Sequence, residues 1–171
     1  QNPERLKDHI QNELNGITGV DMVLLGFGFC GNALLDISPP SFELIFPKVD
    51  DCISLLLGSA DAKGDVEQGM TSYFLTKGWL EHENSIWDDY HHTLEKYGKE
   101  KGEYIYSLML KHYTTLQIID TGCYDFAAFR KETEKIADTL KLPHSEITGT
   151  IDYIKKLLTG PWAKACVRIP A

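Results

Sequence analysis

Leu6, Ile10, Leu14 and Ile17 recur at three- and four-residue intervals, which predicts a helix over Pro3 to Asn15. Its start is written locally, with Asn2 suited to the N-cap, Pro3 to the first helical position and Glu4 to the first turn. The period then changes. Val20 to Phe27 is a short apolar run ending in glycines, the signature of a buried strand. Phe42 to Phe46 predicts a second strand, entered through Pro39-Pro40 and stopped by Pro47. Asp51 to Leu57 reads as a helix capped by Asp50 or Asp51. Gly58, Gly64 and Gly69 punctuate the acidic stretch after it, and Met70 to Leu75 predicts a third strand.

Two amphipathic helices follow, Ser85 to Tyr97 and Lys101 to Tyr113. Thr115 to Ile119 predicts a strand ending at Asp120, and Asp125 to Leu140 a long helix with Phe126, Phe129, Ile136 and Leu140 on one side. A short strand near Glu146 and Ile147, a helix over Ile151 to Leu158 and a strand over Ala165 to Ile169 complete the chain. Strands alternate with helices throughout. That pattern points to an α/β fold in three layers, a mostly parallel Rossmann-like sheet with helices on both faces. A chain of 171 residues fits one domain, taken as residues 1–171.

Composition narrows the function. The net charge of −8 argues against nucleic acid, because phosphate neutralisation needs clustered Lys and Arg. No apolar run approaches the roughly 18 residues a membrane helix requires. The four cysteines, Cys30, Cys52, Cys123 and Cys166, follow no signal-peptide pattern. They are expected to be reduced thiols in a cytoplasmic protein, where cysteine ligates metal, does chemistry or fills cores.

In open α/β sheets, ligands bind at the carboxyl ends of the strands. Three such ends carry one cysteine each: Gly26-Phe27-Gly28-Phe29-Cys30-Gly31-Asn32, Pro47-Lys48-Val49-Asp50-Asp51-Cys52 and Asp120-Thr121-Gly122-Cys123. The first matches Gly-x-Gly-x-x-Gly, with acidic residues about 20 positions on, so Gly26, Gly28, Gly31 and Asn32 are candidates for cradling a phosphate. Against this, Asn32 to Ile37 leaves room for one helical turn, too short for an ordinary βαβ crossover; tight packing explains the glycines as well. Cys52 falls in the first turn of its helix, where the thiolate is favoured. Cys30 lies among glycine-turn amides that also stabilise an anion. Asp120-Thr121-Gly122 matches the aspartic-protease triplet, but that chemistry needs two aspartates in an all-β frame; a strand-to-helix turn capped by Asp125 is the simpler account. Cys166, inside an apolar strand, reads as core. His91, His92 and His112 lie on the amphipathic helices without zinc-site spacing. Tyr90, Tyr97 and Tyr104 repeat every seven residues, a core seam or a partner surface consistent with a homodimer.

Leu25-Gly26-Phe27-Gly28-Phe29-Cys30-Gly31-Asn32, Asp51-Cys52-Ile53-Ser54-Leu55-Leu56-Leu57-Gly58-Ser59, Tyr73-Phe74-Leu75-Thr76-Lys77-Gly78-Trp79 and Ile119-Asp120-Thr121-Gly122 follow one another along the chain. In order and spacing these four segments resemble one prokaryotic family, the domain of unknown function 1638 family. The resemblance implies a cytosolic protein of anaerobic bacteria or archaea, encoded among corrinoid-dependent methyltransferases. It therefore implies a metal- or corrinoid-associated accessory role in one-carbon metabolism, with a corrinoid protein or methyltransferase as partner. The implied metal site would use Cys30 and Cys52, assisted by Asp50, Asp51 or Cys123, and zinc or iron suits thiolate donors. Family members are expected to open with a further strand ending in Cys-Gly, which is not in this sequence. They often carry His where this chain has Asp50, and Asp is the harder ligand. Two alternatives stand beside this: a nucleotide-binding or protein-interaction module without catalysis, and an enzyme using Cys52 as nucleophile.

Overall fold

The computed structural model describes residues 3–59, 64, 71–82 and 85–171. Asn2, Gly69 and Met70, named above as cap, turn and strand start, lie outside the described residues. The chain divides into two compact units, Gln1–Asp65 with Thr150–Ala171, and Val66–Gly149. Both mix helices with a small sheet.

The first unit contains α1 (Pro3–Gly16), β1 (Met22–Leu24), β2 (Glu43–Pro47) and α2 (Cys52–Leu57), then the later α7 (Asp152–Thr159) and β6 (Cys166–Ile169). Its sheet has the order β1-β2-β6, with β1 parallel and β6 antiparallel to β2. Strand β2 carries the core because successive side chains point to opposite faces. Leu44 and Phe46 pack with Ile10 and Leu14 of α1 and with Leu34, Ile37 and Phe42. Ile45 packs the other way, against Leu157 of α7 and Cys166.

Strand β1 is shorter than the apolar run Val20 to Phe27 predicts. Only Met22–Leu24 pair with Glu43–Ile45, and Val20 and Phe27 are exposed. Apolarity alone gives these residues no ladder partner once the chain reaches Gly26. Direction is the second difference. Strand β6 enters beside the end where β2 leaves, with Cys166 opposite Pro47, so it runs antiparallel. Hydrophobic periodicity is the same for either direction.

The second unit contains β3 (Ser72–Leu75), α3 (Lys77–Glu81), α4 (Ile86–Tyr97), α5 (Lys99–Met109), β4 (Thr115–Asp120), α6 (Phe126–Leu140) and β5 (His144–Thr148). Its sheet is all-parallel, in the order β3-β4-β5. Leu116 and Ile118 of the central strand are fully buried among Leu75, Phe129 and Ile136. Ser85 starts α4 with a reciprocal capping box: its hydroxyl accepts from the Asp88 N–H, and Asp88 accepts from the Ser85 N–H. The seven-residue tyrosine repeat splits by environment. Tyr90 is core, whereas Tyr97 and Tyr104 are exposed. Helix α3, capped by Thr76, is an element the hydrophobic pattern does not predict, since five residues are too few to show a helical period. Among the described residues no helix is long and apolar enough to cross a membrane.

Ile118 has no exposed surface and lies at the centre of a three-strand sheet. Ile118→Ala is expected to lower unfolding stability by about 2–5 kcal/mol. Urea titration followed by far-UV circular dichroism checks this; an unchanged midpoint would contradict the core assignment.

Candidate functional site

Because β1 and β2 are parallel neighbours, the segments that follow them leave the sheet at the same end. The pairing does not stop where the strands do. Leu25 donates its N–H to the Ile45 carbonyl at 2.8 Å; beyond Gly28, Phe29 donates to Val49 at 2.8 Å and Cys30 to Asp50 at 2.7 Å. The glycine segment and the segment after β2 are thus stitched together by main-chain hydrogen bonds.

Gly28 makes that stitching sterically possible. It is buried, and a Cβ there would lie 2.7 Å from the Val49 carbonyl oxygen and 2.9 Å from a Val49 methyl carbon. No side chain fits. Gly26 has open space around its Cα, so the two glycines differ in purpose. Gly31 and Asn32 both adopt positive φ within a run of turns, as do Cys30 and Asp36. No α-helix follows this turn, so a phosphate held by Gly26, Gly28, Gly31 and Asn32 would have no helix N-terminus facing it.

The two stitched segments bring Cys30 and Cys52 together, with their sulfurs 3.6 Å apart and half-buried. Cys52 begins α2. Its neighbour Asp51 is the cap: the carboxylate accepts the Ser54 N–H at 2.8 Å. Asp50 is exposed and contributes its carbonyl to the Cys30 amide. Neither aspartate is placed to complete a cluster with the thiols. Among the described residues no group of three or more His, Cys, Asp and Glu side chains is arranged to hold a metal ion.

Cys123 belongs to the second unit. It is exposed in the turn after β4, where its thiol contacts the Thr121 carbonyl. The aspartate of the protease-like triplet accepts the Gly122 N–H at 2.9 Å, and Asp125 caps α6, so the triplet builds a turn. Cys166 is buried beside Ile45 and Leu157, and burial pushes its thiol pKa up.

The paired thiols are electrostatically unequal. The hydrogen-bonding contact between the two sulfurs is the largest influence on Cys30, whose pKa is lowered to about 7 overall. The backbone N–H groups of Gly28 and Cys52 contribute to that lowering, against burial and the negative charge of Asp51. The same contact, with burial, pushes Cys52 up. With the sulfurs this close, the charge belongs to the pair, and ionisation of one thiol opposes ionisation of the other. The pair therefore releases its first proton readily and holds the second.

Val49 is the residue that sequence reasoning missed. Its carbonyl takes the Phe29 amide and sets the close pass at Gly28. The only signal for it is an apolar residue wedged between Lys48 and Asp50.

The fold and the site together define a mixed α/β protein with a dithiol at neighbouring strand ends. The chain belongs to the family described as Protein of unknown function (DUF1638), whose family model matches residues 1–158. No curated protein and no solved structure matches the chain.

Thiolate is the form that alkylates, so Cys30 labelling by iodoacetamide is expected to rise through a midpoint near pH 7. In Cys52→Ala the midpoint should move up towards the ordinary thiol value of about 8.5. Mass-spectrometric peptide mapping over a pH series measures both. Identical profiles in the two proteins would refute the pairing. Gly28→Ala is expected to raise the midpoint as well, because the added carbon forces the two segments apart.

Proposed function

We propose that this protein is a metal-associated accessory protein of anaerobic one-carbon metabolism, with Cys30 and Cys52 as thiolate donors. The observation that supports it is the 3.6 Å sulfur–sulfur distance. Two thiolates on one tetrahedral zinc, each bonded at about 2.3 Å, have sulfurs about 3.8 Å apart. The pair needs only a small adjustment to span one edge of such a tetrahedron. Zinc and iron are the metals of choice for this donor type. When bound, the metal would supply Lewis acidity at the strand ends. The protein's own contribution is to hold the two sulfurs at that spacing and to keep Cys30 poised to lose its proton.

Two donors are an incomplete set. The remaining positions would be filled by groups from elsewhere, such as a substrate, a corrinoid or a methyltransferase partner. The methyl-transfer context comes from the family resemblance and the metal chemistry from the thiol pair. A cytoplasmic setting suits the reading, because thiols stay reduced there. A three-layer, mostly parallel, Rossmann-like architecture also suits it. Its supports are the two helices that pack on opposite faces of β2 and the all-parallel order β3-β4-β5.

The full chain, purified anaerobically, is expected to carry about one equivalent of zinc or iron, or to take up about one of added zinc, as befits a single two-sulfur site. Cys30→Ser and Cys52→Ser should each weaken zinc affinity by roughly 10-fold or more, a scale that even outer-shell changes reach. Elemental analysis, a visible spectrum and competition with a chromophoric chelator give the readouts. A wild-type chain that neither carries nor takes up metal, or serine variants that bind as well as it does, would overturn the proposal.

A further inference from the structure

The same geometry carries a second chemistry that needs no metal. We infer that Cys30 and Cys52 form a reversible dithiol–disulfide pair, closing by exchange with an external disulfide and reopening with external thiol. Both cysteines are free, and their sulfurs already face each other at 3.6 Å. A disulfide bond is about 2.05 Å long, so closure requires the sulfurs to approach by only about 1.5 Å. Main-chain hydrogen bonds at Phe29 and Cys30 join the two segments that carry the thiols. Cys123 and Cys166 are unlike this pair: the first is exposed on a turn with only a carbonyl as thiol partner, the second is buried in an apolar cluster.

The exchange balances without a further reactant. One sulfur of the pair, as thiolate, attacks a sulfur of the external disulfide. A mixed disulfide forms and one external thiolate departs. The second protein thiol gives up its proton and attacks the protein sulfur of the mixed disulfide. The protein disulfide forms, and the second external thiolate departs. The two protons lost by the protein end on the two external thiols. The protein is oxidised by two electrons and the external disulfide is reduced by two.

The closed form has no thiolate to offer a metal. Oxidation would therefore also empty the site proposed above, though the exchange itself does not depend on that proposal. The test keeps the two apart by using chelator-treated, metal-free full chain carrying Cys123→Ser. The reduced protein is incubated anaerobically with oxidised glutathione and analysed intact and after digestion. The expected result is loss of two hydrogens, a single Cys30–Cys52 crosslinked peptide and full recovery of both thiols with dithiothreitol. Adding Cys52→Ser should leave a stable glutathione adduct on Cys30, and adding Cys30→Ser one on Cys52. A protein that collects glutathione on both residues without crosslinking them, or whose two thiols stay reduced while folded, would overturn the inference. Zinc binding by a chain that fails to crosslink would leave the metal proposal standing alone, and crosslinking by a chain that binds no zinc the reverse.

Discussion

Gly28 passes so close to Val49 that the Val49 carbonyl oxygen would sit 2.7 Å from any β-carbon placed there. The arrangement at this end of the sheet depends on that approach. With hydrogen in place of a side chain, the segment after β1 can lie against the segment after β2 and exchange main-chain hydrogen bonds with it. Two loops that leave a sheet as neighbours would otherwise splay apart, since nothing in strand pairing extends beyond the strands. Here the ladder resumes at Phe29 and Cys30, so Cys30 lies within the bonded stretch and Cys52 two residues past Asp50, its other end. The thiols meet because the backbones are already joined.

The charge asymmetry follows from the same constraint. Two thiols at this separation cannot both ionise without strong repulsion, so one proton is shared between them and the first ionisation becomes easy. Amides from Gly28 and Cys52 reinforce the charge on Cys30. Asp51 opposes it, yet Asp51 also accepts the Ser54 amide and starts the helix that positions Cys52. A residue that makes the site electrostatically worse is thus needed to place half of it. The net effect is a pair that gives up its first proton readily and holds the second.

Much of this was legible beforehand. The alternation of strands and helices follows from residue periods, and the caps Asp51, Ser85 and Asp125 are written as short polar residues before apolar runs. Cys30 and Cys52 were legible as strand-end thiols. The role of Gly28 was not, because a glycine that admits a neighbouring carbonyl looks the same in sequence as one that admits a phosphate. The direction of β6 was also hidden, since residue pattern does not encode orientation. The true length of β1 was hidden for a related reason: an apolar residue becomes strand only where a partner strand runs beside it.

The three cysteine-bearing strand ends make the last point. After β1, β2 and β4 the chain uses the same vocabulary of glycine or aspartate followed by a cysteine. The turn after β4 even shares the positive-φ glycine, at Gly122, and the aspartate cap, at Asp125. Yet Asp120 and Cys123 there are engaged within their own turn, at the Gly122 amide and the Thr121 carbonyl, and Cys123 is left exposed. Cys30 and Cys52 lie on different segments and find each other through a backbone bridge. Composition at a strand end supplies reactive groups; a close approach between two such ends is what turns them into a pair. What pairs the thiols in this sheet is therefore two neighbouring parallel strands with one glycine between their exits, and no single motif read along the chain contains that arrangement.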